Sequence, residues 1–337
     1  MSTDVPRLDR RLLLFTGKGG VGKTTVVAGL ALTLARRGKR PLVVELGHRA
    51  SMTSLFRGRE IGYEPRFVGH GVHAMNVDFE RALADYMAEH VPIPRLARTI
   101  LANDALSRFF HAAPAVAEIA VLNKLAALER ERDGGRPRWD PILVDLDATG
   151  HALMLLNLPR VMDGLVGEGP MRRLVDGFSA LLSDPRRTSI SLVTIPRELP
   201  AQETVELHHK LVAEHQIALS TLFVNMVPAP PFTNDVIELL DGFEDRVEAR
   251  GDVARLDDLA LARRAMLVAA RAQGQLDRLR DQIPLPLVQI PMQRALTEDL
   301  DVLERTMARA LDAVEAEPGG PRASRAEDRH VAKEQAR

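Results

Sequence analysis

The chain has no cysteine among its 337 residues, so disulfides, thiolate-ligated zinc, iron–sulfur clusters and thiolate capture of a metalloid are all excluded within it. Aromatic residues make up only 4%, with one Trp and two Tyr. Net charge is also lacking: 45 Lys+Arg stand against 46 Asp+Glu for a formal charge of -1. No bulk basic field therefore points to nucleic acid or anionic lipid as the main partner. Apolar runs stay strand-sized, such as Leu12 to Phe15 and Ile119 to Leu122, well short of the ~18 residues of a membrane span. The first residues, MSTDVPRLDRR, contain no signal-peptide core, and the expected location is cytoplasmic. With 45% hydrophobic residues, the chain can bury a large core.

What is present is a phosphate loop. The apolar run Arg11 to Phe15 leads into Thr16-Gly17-Lys18-Gly19-Gly20-Val21-Gly22-Lys23-Thr24-Thr25 and then an amphipathic stretch to Arg37, an order that reads strand, glycine loop, helix. Gly17, four residues, then Gly22-Lys23-Thr24 is the spacing that lets backbone N–H groups wrap phosphates at the positive end of a helix. Lys23 is placed for the β- and γ-phosphates of ATP and the Thr24 hydroxyl for Mg²⁺. A second strand, Arg40 to Glu45, completes a βαβ unit. Farther on, Trp139 to Asp145 is a buried-strand pattern ending in a carboxylate, from which Asp145 can hold a Mg²⁺-bound water.

Lys18, beside the first glycine, sits too far back to serve its own loop as Lys23 does. The run Gly17 to Thr25 resembles the deviant phosphate loop of dimerising ATPases: nitrogenase iron proteins, partition and division-placement ATPases, and arsenite and tail-anchored-protein ATPases. Within that class, Leu146-Asp147-Ala148-Thr149-Gly150-His151-Ala152-Leu153 is similar to the switch segment D-T-A-P-T-G-H-x-L of the ArsA-type arsenite and tail-anchored-protein ATPases. Pro196 to Thr204 resembles their E-x-L-P-x-x-E-T helix entry. The resemblance runs from about residue 11 to residue 313.

It implies one α/β P-loop domain over residues 1–317, a mostly parallel sheet flanked by helices with helical insertions at about 79–132 and 160–185, and a disordered charged tail at 318–337. It further implies a dimer, of two copies or with a paralogue, in which Lys18 acts on the partner's nucleotide. Asn225 becomes the adenine-side residue, its amide offering a donor and an acceptor, and Pro291 part of the loop over the base. A hydrophobic or tail-anchored client is the implied partner.

Two departures qualify the resemblance. The family's water-orienting aspartate after the second strand is Gly47 here, and glycine has no side chain to hold water. Either Asp147 or Glu45 supplies the carboxylate, with His48, Arg49 and His151 available for phosphate charge, or the chain is a slow, nucleotide-sensing subunit paired with an active paralogue. A partition-type positioning ATPase is the remaining reading. The absence of cysteine argues against a zinc clasp and against arsenite activation. Elsewhere, apolar residues near helical spacing include Phe79, Leu83, Met87, Leu96, Ile100, Leu106, Phe109, Phe110, Ile119, Leu122 and Leu125, and a second stripe runs Met171, Leu174, Val175, Phe178, Leu181, Leu182. Such stripes make either core or a client groove. His70, His73, His208 and His209 read as loop and helix-surface residues without a metal pattern, and Arg246 to Arg280 as one or two helices with a solvated charged face.

Overall fold

A computed structural model describes residues 8–47, 51–57, 60–90, 116–146, 149–163, 166–214, 217–232, 247 and 253–316. The strands are β1 (Leu12–Thr16), β2 (Leu42–Leu46), β3 (Arg66–Gly69), β4 (Val72–Val77), β5 (Arg132–Asp133), β6 (Arg136–Pro137), β7 (Ile142–Asp145), β8 (Thr188–Thr194), β9 (Leu219–Val227) and β10 (Leu287–Pro291). The α-helices are α1 (Lys23–Arg36), α2 (Ser51–Leu55), α3 (Phe79–His90), α4 (Val116–Arg130), α5 (Thr149–Asp163), α6 (Pro170–Ser183), α7 (Glu198–Glu214), α8 (Val253–Gln282) and α9 (Leu300–Glu315).

Eight strands form one sheet in the order β10-β9-β8-β1-β7-β2-β4-β3, parallel throughout except for β3 at the edge. Successive side chains of a strand point to opposite faces, so a strand covered by helices on both sides is apolar without interruption. In β1, Leu12 and Leu14 enter one core while Leu13 and Phe15 enter the other. The first core is capped by α4, α5, α6 and α7; the second by α1 and α9, which meet where Gly29 leaves room for Leu303 and Met307.

β1 is flanked by β7 on one side and β8 on the other, and the chain leaves it toward β2, on the β7 side. Connections thus run in opposite directions from the middle of the sheet, opening a crevice at the carboxyl ends of β1 and β7, where ligands bind in open α/β sheets. Two features come in addition to the expected elements: residues 66–77 form a hairpin at the sheet edge, and Arg132 to Pro137 close a small two-stranded ribbon.

One expectation needs correction, because His73 is a half-buried strand residue and His208 is buried. His73 lies in β4 with its ring 5.0 Å from that of Trp139, and His208 is 6% exposed in α7; burial lowers the pKa of both. Among the described residues no cluster of His and carboxylates could hold a metal.

The stripe on α6 is core: Val175, Phe178, Leu181 and Leu182 are buried, while Met171 at its end is exposed. Ile119, Leu122 and Leu125 of α4 and Leu83 and Met87 of α3 are buried too. Leu96, Ile100, Leu106, Phe109 and Phe110 lie outside the described residues, as do residues 318–337. Because Phe178 is 2% exposed, Phe178→Ala is expected to cost about 3–5 kcal/mol through lost transfer energy and the cavity left behind. Urea unfolding measures it, and a loss below about 1 kcal/mol would mean that the stripe is not core.

Candidate functional site

The loop after β1 needs glycine for steric reasons. A Cβ on Gly17 would overlap the Val193 carbonyl of β8, and one on Gly22, which has φ +85°, would strike the Asn225 amide. Gly22 caps α1 without a side chain, and the first turn of α1 has no acidic residue. The positive helix end is therefore left open toward the crevice.

Within the loop, the Lys23 ammonium donates to the carbonyl oxygens of Gly17 (3.0 Å) and Lys18 (3.2 Å). Lys23 is only 8% exposed. Beside it, the Thr24 hydroxyl donates to Asp145 Oδ2 at 2.6 Å. This contact joins the first turn of α1 to the end of β7, the strand that pairs with β1, although 121 residues separate the two in sequence. A hydroxyl oxygen beside a carboxylate is the donor set a hard cation such as Mg²⁺ prefers, so Thr24 and Asp145 fit it. Gly20, Gly22, Lys23, Thr24, Glu45, Leu46, Ser51, Asp145 and Leu146 together line a cavity of about 240 Å³.

Glu45 belongs to this cavity. It is 3% exposed, accepts from the Ser51 backbone N–H at 3.0 Å and faces the Asn76 amide at 3.4 Å. Burial, and then the Asp145 charge, hold its carboxyl above the ordinary glutamate range against those hydrogen bonds. Folding therefore favours the protonated form. The resulting stability is present in full below the ordinary carboxyl pKa and is lost as pH rises through the raised value. Relative to the parent, Glu45→Gln is thus expected to gain stability as pH rises from about 4.5 toward 7.5. Thermal unfolding across that range checks the sign.

Gly47 has φ +90° with open space where a side chain would stand. His48, Arg49 and Asp147 lie outside the described residues, and of His151 only the backbone is described.

Lys18 points elsewhere. Its ammonium donates to Glu203 Oε1 on α7 at 2.6 Å, with both side chains 39% exposed, while Glu203 Oε2 is buried without a partner. Lys18 is therefore held away from its own loop, as its position before Gly19 suggests. The spacing of residues 196–204 marked Glu203, but nothing in the sequence pairs it with a lysine 185 residues earlier.

Asn225 is 3% exposed and supports the loop, its amide nitrogen donating to the Val21 carbonyl at 3.0 Å. One of the two N–H donors of its amide is thus committed. Gly19 and Gly20 sit at the exposed tip, Val21 is buried, and Thr25 follows Thr24 within α1. Pro291 ends β10, and the backbone N–H of the next residue, Met292, donates to the Val227 carbonyl. Met226, Pro228 and Met292 border a cavity of about 830 Å³ that extends to Arg197, Val268 and Arg271.

The family described as anion-transporting ATPase matches residues 10–176. The chain is similar to the ATPase BagA of Mycobacterium tuberculosis, 29% identical over 299 residues, covering 82% of this chain and 87% of that protein. It is also similar to the arsenical pump-driving ATPases of Acidiphilium multivorum (30% over 238 residues, 64% of this chain) and Escherichia coli (29% over 225 residues, 60% of this chain). It spans only 39% and 37% of those two relatives.

Proposed function

Since this chain belongs to the ArsA-type family of P-loop ATPases, we propose that it binds ATP with Mg²⁺, hydrolyses it slowly, and uses the nucleotide to join two copies that act on a hydrophobic partner. The observation that carries the reading is the Thr24–Asp145 contact at 2.6 Å beside a lysine held by loop carbonyls.

Lys23 exchanges those carbonyls for β- and γ-phosphate oxygens, which are stronger acceptors because they are charged. Loop N–H groups and the open end of α1 take the remaining phosphate charge. Thr24 and Asp145 would hold the cation, and the chemistry it would supply there is charge neutralisation. Lys18 leaves Glu203 to reach the nucleotide of a second protomer. Attack by water calls for a carboxylate that orients it; with Gly47 bare, that duty falls to Glu45, in the same cavity as Lys23 and Asp145, or to Asp147.

Calorimetric titration with Mg-ATP tests binding, and single-turnover hydrolysis by Glu45→Gln and Asp147→Asn tests the carboxylate. Absence of binding heat sinks the whole reading, whereas unchanged hydrolysis in both variants sinks only the water assignment. Gly47 favours a second reading, a nucleotide-sensing subunit that needs an active paralogue. Under that reading the lone protein binds ATP without turnover or self-association. The family resemblance supports a hydrophobic or tail-anchored client; among the described residues, no helix is itself long and apolar enough to cross a membrane.

A further inference from the structure

The C-terminal part of α8 packs on the body through Ala272, Leu276 and Leu279, all buried. Toward its N-terminus the helix is mostly exposed from Arg255 to Arg271, where Leu259 is the one buried residue among those described. Leu261 (68%), Leu267 (58%) and Val268 (52%) are among the most exposed large apolar side chains of the described residues. Helical stability in proteins ordinarily comes from packing an apolar face, and this half of α8 leaves most of its apolar side chains unpacked.

The exposed face has a definite charge order. Asp257, Leu261, Arg264 and Val268 recur at steps of four, three and four, which places them on one stripe. The acid lies toward the N-terminus and the base two turns later, about 10 Å along the axis. Laid antiparallel against a copy of itself, this stripe sets Asp257 opposite Arg264 twice, with the two Leu261 side chains between the ion pairs. A two-fold contact requires this self-complementarity.

We propose that the outer half of α8 is a homodimer contact in which it pairs antiparallel with the same helix of a second copy. The proposal rests on the two-copy reading above and specifies its surface. It accounts for how a cysteine-free chain aligns two protomers without a metal clasp. Continuity supports it, because Val268 and Arg271 also border the cavity of Met226, Pro228 and Met292, so the helix contact adjoins the nucleotide side. One helix pair falls short of the roughly 800 Å² per partner typical of a stable interface, so it adds to the phosphate-side contact.

The test uses charge reversal, in which two-fold symmetry makes each change count twice. Asp257→Arg and Arg264→Asp are made separately in the full chain, and self-association under Mg-ATP is followed by analytical ultracentrifugation. Each variant alone is expected to dimerise about tenfold or more weakly than the parent, because like charges then meet at both ends of the contact. An equimolar mixture is expected to recover parental affinity. One copy then presents two bases and the other two acids, so every base faces an acid. Measured at dilutions where every protein is monomeric, ATP affinity is expected to be unchanged in both variants, which separates assembly from binding. Parental dimerisation by either variant, or no recovery in the mixture, overturns the helix pairing while leaving the two-copy reading intact. A parent that stays monomeric with Mg-ATP overturns both.

Discussion

As a monomer, Lys18→Ala is expected to bind Mg-ATP with about the parental affinity, and yet under assembling conditions to hydrolyse it on the order of 10³-fold more slowly. The reason is geometric. Lys18 is bonded to Glu203 and not to its own loop, so one chain does not need it to hold phosphate. A cation delivered from a second protomer to the transferring phosphoryl contributes about 10³–10⁵ in rate in the phosphoryl-transfer enzymes where it is known. Titration calorimetry and single-turnover rates together measure the two effects. Equal losses of affinity and rate would place Lys18 in its own loop after all. Glu203→Gln provides the complementary reading. It frees Lys18 without removing it, so assembly is expected at lower ATP concentration, whereas Lys18→Ala requires more.

Lys23→Ala should act on binding itself. The ammonium is nearly buried among loop carbonyls, in the position to donate charged hydrogen bonds to two phosphates. Such bonds contribute about 1.5–3 kcal/mol each, so ATP affinity is expected to fall on the order of 100-fold or more, and turnover with it. Lys23→Arg is not expected to rescue, because the larger planar head does not fit a loop shaped by Gly17 and Gly22. Circular dichroism and the melting temperature distinguish a binding defect from misfolding. Retained affinity in a folded Lys23→Ala protein would remove the phosphate site from this loop.

The loop and the Thr24 and Asp145 side chains beside it were legible because local order carries them. Gly17 to Thr25 is contiguous, and a run of buried-strand residues ending at Asp145 announces a carboxylate at the end of a strand. Asn225 stood out only through the family resemblance, and the sequence did not show that its amide nitrogen donates to the Val21 carbonyl. Glu45 stood out only for its nearness to Gly47. Its burial, its cap on Ser51 and its exposure to the Asp145 charge arise because β2 and β7 are adjacent in the sheet.

From the amino-acid order alone came the α/β class, the phosphate loop with both lysines, the bare position at Gly47 and the exclusion of every thiol-dependent chemistry. These depend on neighbours within a turn or a strand, where spacing determines geometry. Tertiary structure decided that Lys18 meets Glu203, that the α6 stripe faces inward, that His208 is buried and that the outer half of α8 stays exposed. An amphipathic pattern specifies which face of a helix is apolar, but what that face meets depends on the packing of segments far apart in the chain.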